Sequence, residues 1–356
     1  MGGPLKKGSF FIYCPCRLIL YRNGESCTVR PGDISPIVSD EEATFFYTGG
    51  AKKVSLAGEY NRWEQETMRQ DTGLWYIRKS FPPDARIEYK YIVDGQWIPD
   101  PLNVSPSDLS DNSTLIMPGY HSDYKTIIQQ DIPRGRVIRD RTILSQSMGK
   151  EMRYHVYLPP DYLKETLASI LYVMDGSNYL HFAHINRVLD YLIDRGDIPA
   201  VTAVLTDPDQ RDVEYTFYEP YIQYLIGELM PALEREYLGG ANQIDRGVMG
   251  ASFGGLTAVY LAVSEPYRFR RVLTQSGSFW PKEFALFRQT AEAVTPPIRF
   301  CLQTGTIQDT EEMNDVMTEI LKAKGYPVDY VKYAESHSWI NWRGHLSEGL
   351  KKLYQE

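Results

Sequence analysis

The chain has 356 residues, of which 43% are hydrophobic and 24% charged, with a formal net charge of -8. That is the composition of an ordinary globular protein long enough for two domains, and its negative charge with no long Lys/Arg run argues against nucleic acid as a partner. Nowhere do eighteen apolar residues follow one another, which excludes a membrane-spanning helix.

The four cysteines are unevenly spread. Cys14, Cys16 and Cys27 crowd the N-terminal segment and Cys301 stands far beyond them, so no disulfide is expected within the C-terminal two-thirds. That suits a reducing compartment and makes the cytoplasm the expected location. Cys14-Pro15-Cys16 lacks the second pair that a structural zinc site requires. Residues 1–40 show weak periodicity and read as a tail or an irregular lead-in. Within them Lys6 to Tyr13 has a basic start and an apolar run, but Arg17 and Arg22 break the pattern and no small-residue cleavage site follows cleanly. No signal peptide is expected there.

From Ala43 to Gly119 short strand-like runs alternate with turns. Ala43–Tyr47, Lys53–Ala57, Leu74–Ile77 and Tyr89–Val93 are rich in β-branched and aromatic residues, and Gly49-Gly50, Pro82-Pro83-Asp84 and Asp94-Gly95 separate them. The spacing predicts a small immunoglobulin-like β-sandwich over residues 41–122. Pro101 to Arg134, rich in Ser, Asp, Asn and Pro, reads as a linker. The 26 tyrosines read chiefly as half-buried packing.

Residues 123–356 change character. Ile170–Met174 and Val201–Leu205 are apolar runs suited to buried parallel strands, followed by Gly247–Met249, Val272–Thr274, Ile298–Leu302 and Val328–Val331. Between them Ile185, Val188, Leu189 and Leu192 recur at helical spacing, as do Tyr221, Leu225, Leu229 and Leu233. The alternation predicts an α/β domain with a mostly parallel sheet, whose ligands bind beyond the carboxyl ends of the strands.

Gly250-Ala251-Ser252-Phe253-Gly254 is the G-x-S-x-G sequence of the chain. It follows a predicted strand and precedes a stripe of Leu256, Val259, Tyr260 and Val263, the strand-turn-helix setting in which a serine is exposed as a nucleophile. A serine hydroxyl needs a base, and on this plan the acid and then the histidine follow it in the chain. His121, His155, His181 and His184 precede Ser252. His337, in a loop after the last strand, is therefore the expected base, and His345, inside an amphipathic helix with Leu346 and Leu350, the dispensable one. Asp309 is the expected acid, with Glu311, Glu312 and Asp315 as rivals that could equally be helix-start charges. Oxyanion donors are expected at the backbone of Phe253 and of Gly176 or Ser177. His181 and His184 could pass for metal ligands, but no third ligand stands near, and no metal is expected.

The segment Tyr154 to Leu350 resembles the enterochelin-esterase-like branch of the α/β hydrolases, which includes feruloyl and acetyl-xylan esterases. The likeness is carried by Met174-Asp175-Gly176, Leu189–Leu192, Arg211 with Glu214, Glu228–Pro231, the Ser252 elbow, Gln275–Trp280, and His337-Ser338-Trp339 with Trp342-Arg343. Gly305 to Asp309 is one residue longer than the usual Gly-Thr-x-Asp. The resemblance implies a Ser-His-acid esterase without metal or organic cofactor, acting on an aryl or acyl ester such as a feruloyl or acetyl sugar ester or a catecholate siderophore ester. Arg211 and Glu214 follow the strand ending at Leu205, at the rim where ligands bind in such sheets, where a charge is either a substrate contact or merely solvated; substrate contacts are expected from them and from Asp175, Trp280 and Trp342.

The sandwich resembles the early-set, glycogen-binding type of module, through Gly58–Trp63, Tyr89–Trp97 and Asp100-Pro101. In binding members two tryptophans stack on sugar and a Lys and an Asn donate to it, which implies Trp63, Trp97, Lys90 and Asn112 here. Many such modules bind no glycan and pack on the catalytic domain, and for an intracellular chain that packing role is the expectation. A glycan-binding protein with an inactive hydrolase domain, or an acyltransferase on the same fold, are the other readings.

Overall fold

The computed structural model describes residues 34–355 apart from 72, 165–167, 239–242, 266 and 295–296. Ahead of these it gives the backbone of three strands, Ile12–Cys14, Arg17–Arg22 and Glu25–Val29, which pair antiparallel into one sheet. An irregular lead-in was the expectation, but strands of three to six residues are too short to carry a legible periodicity. The signal-like residues 6–11 and the side chains of Cys14, Cys16 and Cys27 lie outside the described residues. The chain divides into two compact units, Met1–His121 and Ser122–Glu356.

In the first unit two antiparallel sheets form the sandwich. One carries Val54–Gly58, Glu66–Thr67, Arg86–Val93, Gln96–Ile98 and Ser113–Ile116; the other carries Ile37–Val38, Glu42–Tyr47, Arg69–Asp71 and Leu74–Ser80. Phe45 and Tyr89 meet edge to face at 4.8 Å, one ring from each sheet, with Leu56 and Tyr91 also buried, while Phe46 is buried separately among Ile37, Leu74, Tyr76 and Leu102. The buried phenols keep partners: Tyr89 donates to Asp100 Oδ2 at 2.8 Å and Tyr91 to the Phe46 carbonyl at 3.2 Å. Ser113–Ile116 belongs to a sheet although it falls inside the expected linker. Its four residues satisfy their ladder by pairing with Arg86–Val93, a partner the local composition does not reveal.

The second unit is built on one eight-stranded sheet. Its strands are β1 (Arg136–Ser145), β2 (Lys150–Leu158), β3 (Ser169–Met174), β4 (Thr202–Thr206), β5 (Asp245–Ala251), β6 (Arg271–Gln275), β7 (Arg299–Gly305) and β8 (Val328–Tyr333). They lie in the order β1-β2-β4-β3-β5-β6-β7-β8, antiparallel as far as β4 and parallel from β4 to β8. This is the α/β-hydrolase arrangement. The β1–β2 hairpin escapes a reading by apolar runs, because β1 is an edge strand carrying Arg136, Arg139, Asp140 and Arg141.

Side chains of the central strands alternate between two cores. Ile170, Tyr172 and Met174 of β3 join Val248 of β5 and the helices Met230–Tyr237 and Phe253–Ser264 on one face; Leu171 and Val173 join Met249, Leu273 and the helices Ile185–Asp194 and Leu346–Tyr354 on the other. Burying each aliphatic side chain of this kind is worth about 1.5–3 kcal/mol, and truncating one to Ala leaves a cavity that costs about 2–5 kcal/mol. Tyr157, Tyr172, Tyr179, Tyr215, Tyr221 and Tyr224 are fully buried, so tyrosine here serves as core more often than as half-buried packing. Tyr221, Leu225, Leu229 and Leu233 all face the core, though not along one regular helix. Glu219–Gln223 passes through a π-helical stretch, Tyr224–Leu229, into Met230–Tyr237. A strict four-residue repeat drifts round an α-helix, and the wider π turns keep it on one side.

Candidate active site

Ser252 stands between β5 and the helix Phe253–Ser264 with φ 55 and ψ -121, a conformation that costs a non-glycine residue on the order of 1–3 kcal/mol. The glycines around it make that bend possible. A Cβ on Gly250 would lie 2.4 Å from the carbonyl carbon of Gly254, and one on Gly255 would lie 2.3 Å from Thr274 Oγ1. Backbone hydrogen bonds hold the bend in place: Ser252 N–H donates to the Gln275 carbonyl at 2.9 Å, and Ser278 N–H to the Ser252 carbonyl at 3.1 Å. The Ser252 hydroxyl lies 3.2 Å from that of Ser278, which sits within the Gln275–Trp280 motif.

Beyond β7 and β8 two loops meet. His337 Nδ1 donates to Asp309 Oδ1 at 2.7 Å, with the Asp309 carboxylate buried and the imidazole about one-third exposed, at 32%. Asp309 also accepts from Ser276 Oγ at 2.6 Å, from Gly305 N–H at 2.7 Å and from Thr310 N–H at 2.6 Å. Burial raises its carboxyl, but the hydrogen bond and charge of His337 with the donors from Ser276 and Thr310 outweigh it and hold the group below the usual carboxylate range. The rivals are engaged elsewhere: Glu311 and Asp315 both accept from Lys332, and Glu312 is exposed. His345 is not inside a helix but at the break between Trp339–Gly344 and Leu346–Tyr354, buried, 2.6 Å from Glu335 Oε1 and stacked on Tyr333 at 3.4 Å.

After β3 the chain turns sharply. Asp175 is left-handed at φ 56, and a Cβ on Gly176 would sit 2.5 Å from the backbone of Leu205. Ser177 departs from its expected role as an oxyanion donor, because its N–H donates to Asp207 Oδ1 at 2.8 Å and its hydroxyl to Asp207 Oδ2. Arg211 grips the buried Asp175 with Nε and Nη2, both at 2.8 Å, and Glu214 is buried, accepting from Lys150 and from the Asp209 N–H. Burial raises the Asp175 carboxyl, the Arg211 fork opposing it. Glu214 thus faces the interior rather than the rim.

Trp342 was expected against substrate but is buried, 7% exposed. Its indole N–H donates to Ser276 Oγ at 2.9 Å and its ring meets His337 edge-on at 5.0 Å. It stands behind the Asp309–His337 pair. Trp280, in contrast, is 52% exposed and lies 5.3 Å from the ring of Phe253, the residue after Ser252. His184 accepts from or donates to the Tyr124 hydroxyl at 2.6 Å, and among the described residues no three His, Cys, Asp or Glu side chains are grouped to hold a metal ion. No helix among the described residues is long and apolar enough to cross a membrane.

A model of the "Putative esterase" family matches residues 145–353. The chain belongs to this esterase family. Its curated relatives include an endo-1,4-beta-xylanase/feruloyl esterase of Xylanibacter ruminicola, 24% identical over 92% of this chain and 47% of that one. Another is an iron(III) enterobactin esterase of Dickeya dadantii, 26% identical over 72% of this chain. The chain spans 47% and 65% of the lengths of these two relatives. Among solved structures the enterobactin esterase of Shigella flexneri, crystallised in the presence of enterobactin, superposes with a TM-score of 0.70 over 90% of this chain and 95% of that one. Its identity of 22% makes this a likeness of fold.

The esterase unit is preceded by residues 42–115, which match the model for the glycogen recognition site of AMP-activated protein kinase. In this module the Trp63 and Trp97 rings lie 6.3 Å apart, tilted by 46°, and Trp97 is 46% exposed. The expected sugar donors are engaged within the module. Lys90 donates to Asp111 at 2.6 Å and Asn112 to Glu88 Oε2 at 2.6 Å.

Proposed function

We propose that the chain hydrolyses a carboxylic ester through an acyl-enzyme on Ser252, with His337 as general base and Asp309 as its partner. The observation that carries this reading is the 2.7 Å bond from His337 Nδ1–H to the buried Asp309 carboxylate. That bond leaves the Nε2 lone pair free to take a proton. Ser252 Oγ attacks the ester carbonyl carbon as its proton passes to His337 Nε2. The oxyanion so formed is met by the Phe253 and Gly176 amides. It collapses by expelling the alcohol, which takes the proton from His337. Water, deprotonated by the same imidazole, then releases the acid and restores the serine.

The acyl group we propose is aromatic. Trp280 and Phe253 offer a ring-lined rim beside Ser252. Feruloyl and enterobactin esterases stand among the relatives, and both names denote aryl-bearing esters. A fluorophosphonate probe tests the nucleophile: the parent should label at Ser252 and Ser252→Ala should not, with turnover falling at least about a thousandfold. Near-normal turnover in that variant would sink the reading. Comparing methyl ferulate, a catecholate trilactone and a short alkyl acetate then sorts the acid, and product analysis with added alcohols separates hydrolysis from acyl transfer.

A second reading concerns the sandwich. The side-by-side Trp63 and Trp97 rings, with Trp97 nearly half exposed, support α-glucan binding by stacking, even though Lys90 and Asn112 are held by acidic neighbours.

A further inference from the structure

We propose that Arg211 is a positioning residue for the oxyanion donors: with Asp175 on one side and the Asp207–Ser177 pair on the other, it aims the Gly176 amide at the carbonyl that Ser252 attacks. The proposal rests on the acyl-enzyme reading of Ser252 and assigns the residues that prepare its oxyanion site.

The turn carrying Gly176 is held from both sides. Upstream, the Asp175 carboxylate is gripped by the Arg211 fork, and the Asp175 N–H donates to the Tyr215 hydroxyl at 2.8 Å. Downstream, Asp207 at the end of β4 takes both the Ser177 amide and its hydroxyl. His155 on β2 lies 2.9 Å from the same hydroxyl through Nε2. Its Nδ1 accepts the Asp140 N–H at 2.9 Å, which leaves the ring proton of the neutral imidazole on Nε2, directed at Ser177 and Asp207. Gly176 itself has no freedom to shift toward β4, since even a methyl group there would strike Leu205.

Arg211 also reaches the nucleophile. Its Nη2 donates to the Ala251 carbonyl at 3.2 Å, immediately before Ser252, and its guanidinium lies over the Phe253 ring, immediately after. One planar group therefore touches the residue before one oxyanion donor and the residues on both sides of the nucleophile. It sets the spacing between the two amides. The planar fork suits this task as an ammonium would not, because Lys can hold one carboxylate oxygen but not both in register. Preorganised amides matter because their dipoles need no reorganisation as charge develops; losing one costs about a hundredfold to a thousandfold in turnover.

The test is Arg211→Lys, which keeps the buried Asp175 paired, assayed on the best ester of the panel for kcat, KM and inhibition by a trifluoromethyl ketone, whose hemiketal presents the oxyanion. We expect kcat to fall about tenfold to a hundredfold and ketone affinity to weaken in step, with KM within about twofold and melting temperature within a few degrees. A raised KM with unchanged kcat would make Arg211 a substrate contact and overturn the proposal. So would unchanged kcat and ketone binding, which would leave a merely structural ion pair. Should Arg211→Lys not fold, Asp207→Asn acts on the other side of the turn: a selective loss of kcat there supports the clamp, and an unaltered kcat refutes it. Absence of fluorophosphonate labelling at Ser252 in the parent is a separate result, and it would count against the acyl-enzyme rather than the clamp.

Discussion

Two opposing effects act on the single carboxyl group of Asp309. Burial disfavours its charge, while His337, Ser276 and Thr310 favour it and prevail. Replacing it with Asn should lower turnover by about ten-thousandfold, because the amide no longer holds His337 with its proton on Nδ1. The same shift makes a statement about stability. A carboxyl depressed in the folded state contributes stability above its unfolded pKa of about 3.9, and that contribution is lost as pH falls through the lower folded value. The stability gap between the parent and Asp309→Asn should therefore narrow in acid, followed as urea midpoints from pH 7 downward. A gap that widens on acidification would show that the carboxylate is not held by these donors. At this scale residue type and chain order single out Ser252 and His337 as candidates. They could not rank Asp309 against Glu311, Glu312 and Asp315, because what distinguishes them is which carboxylate the β8 loop meets.

The two helices after the last strand are separated by a break at His345. Leu346 and Leu350 sit at helical spacing, and both lie in a helix, but His345 ahead of them ends one helix and precedes another. The break lets its ring stack on Tyr333 of β8 and reach Glu335, two residues before His337. His345→Ala would leave the Glu335 carboxylate buried without this partner. The expected cost is about 1–3 kcal/mol, seen as a lower denaturant midpoint with KM unchanged. An unaltered midpoint would mean the pair does not brace the histidine loop. Trp342 in the first of these helices is likewise buried. An aromatic residue within a motif reads the same whether it faces substrate or backs the acid, and only its indole bond to Ser276 tells the two apart.

For the whole molecule, Trp63 and Trp97 lie in the first unit and Ser252 in the second, so a variant in one unit can be read against the function proposed for the other. Replacing Trp63 and Trp97 together with Ala should abolish retention on an α-glucan gel while turnover of a small soluble ester persists. If the parent protein is not retained, or the double variant is retained equally, the stacking role fails. A steep fall in melting temperature in the double variant would instead favour the packing role expected from the sequence.

By itself the sequence determined the class of each unit, the elbow and the central strands, because these depend on local patterns: apolar runs, turn residues, and glycines beside a serine. Tertiary structure decided what long-range pairing controls. Ser113–Ile116 became a strand because Arg86–Val93 had an open edge, and the Ser177 amide was taken by Asp207, thirty residues away just past the end of β4. Arg211 reads from sequence as one more charge at a rim. Its hold on Asp175 and on the Ala251 carbonyl exists only once β3, β4 and β5 lie side by side, because the sheet order, not the chain order, brings those groups within hydrogen-bond reach.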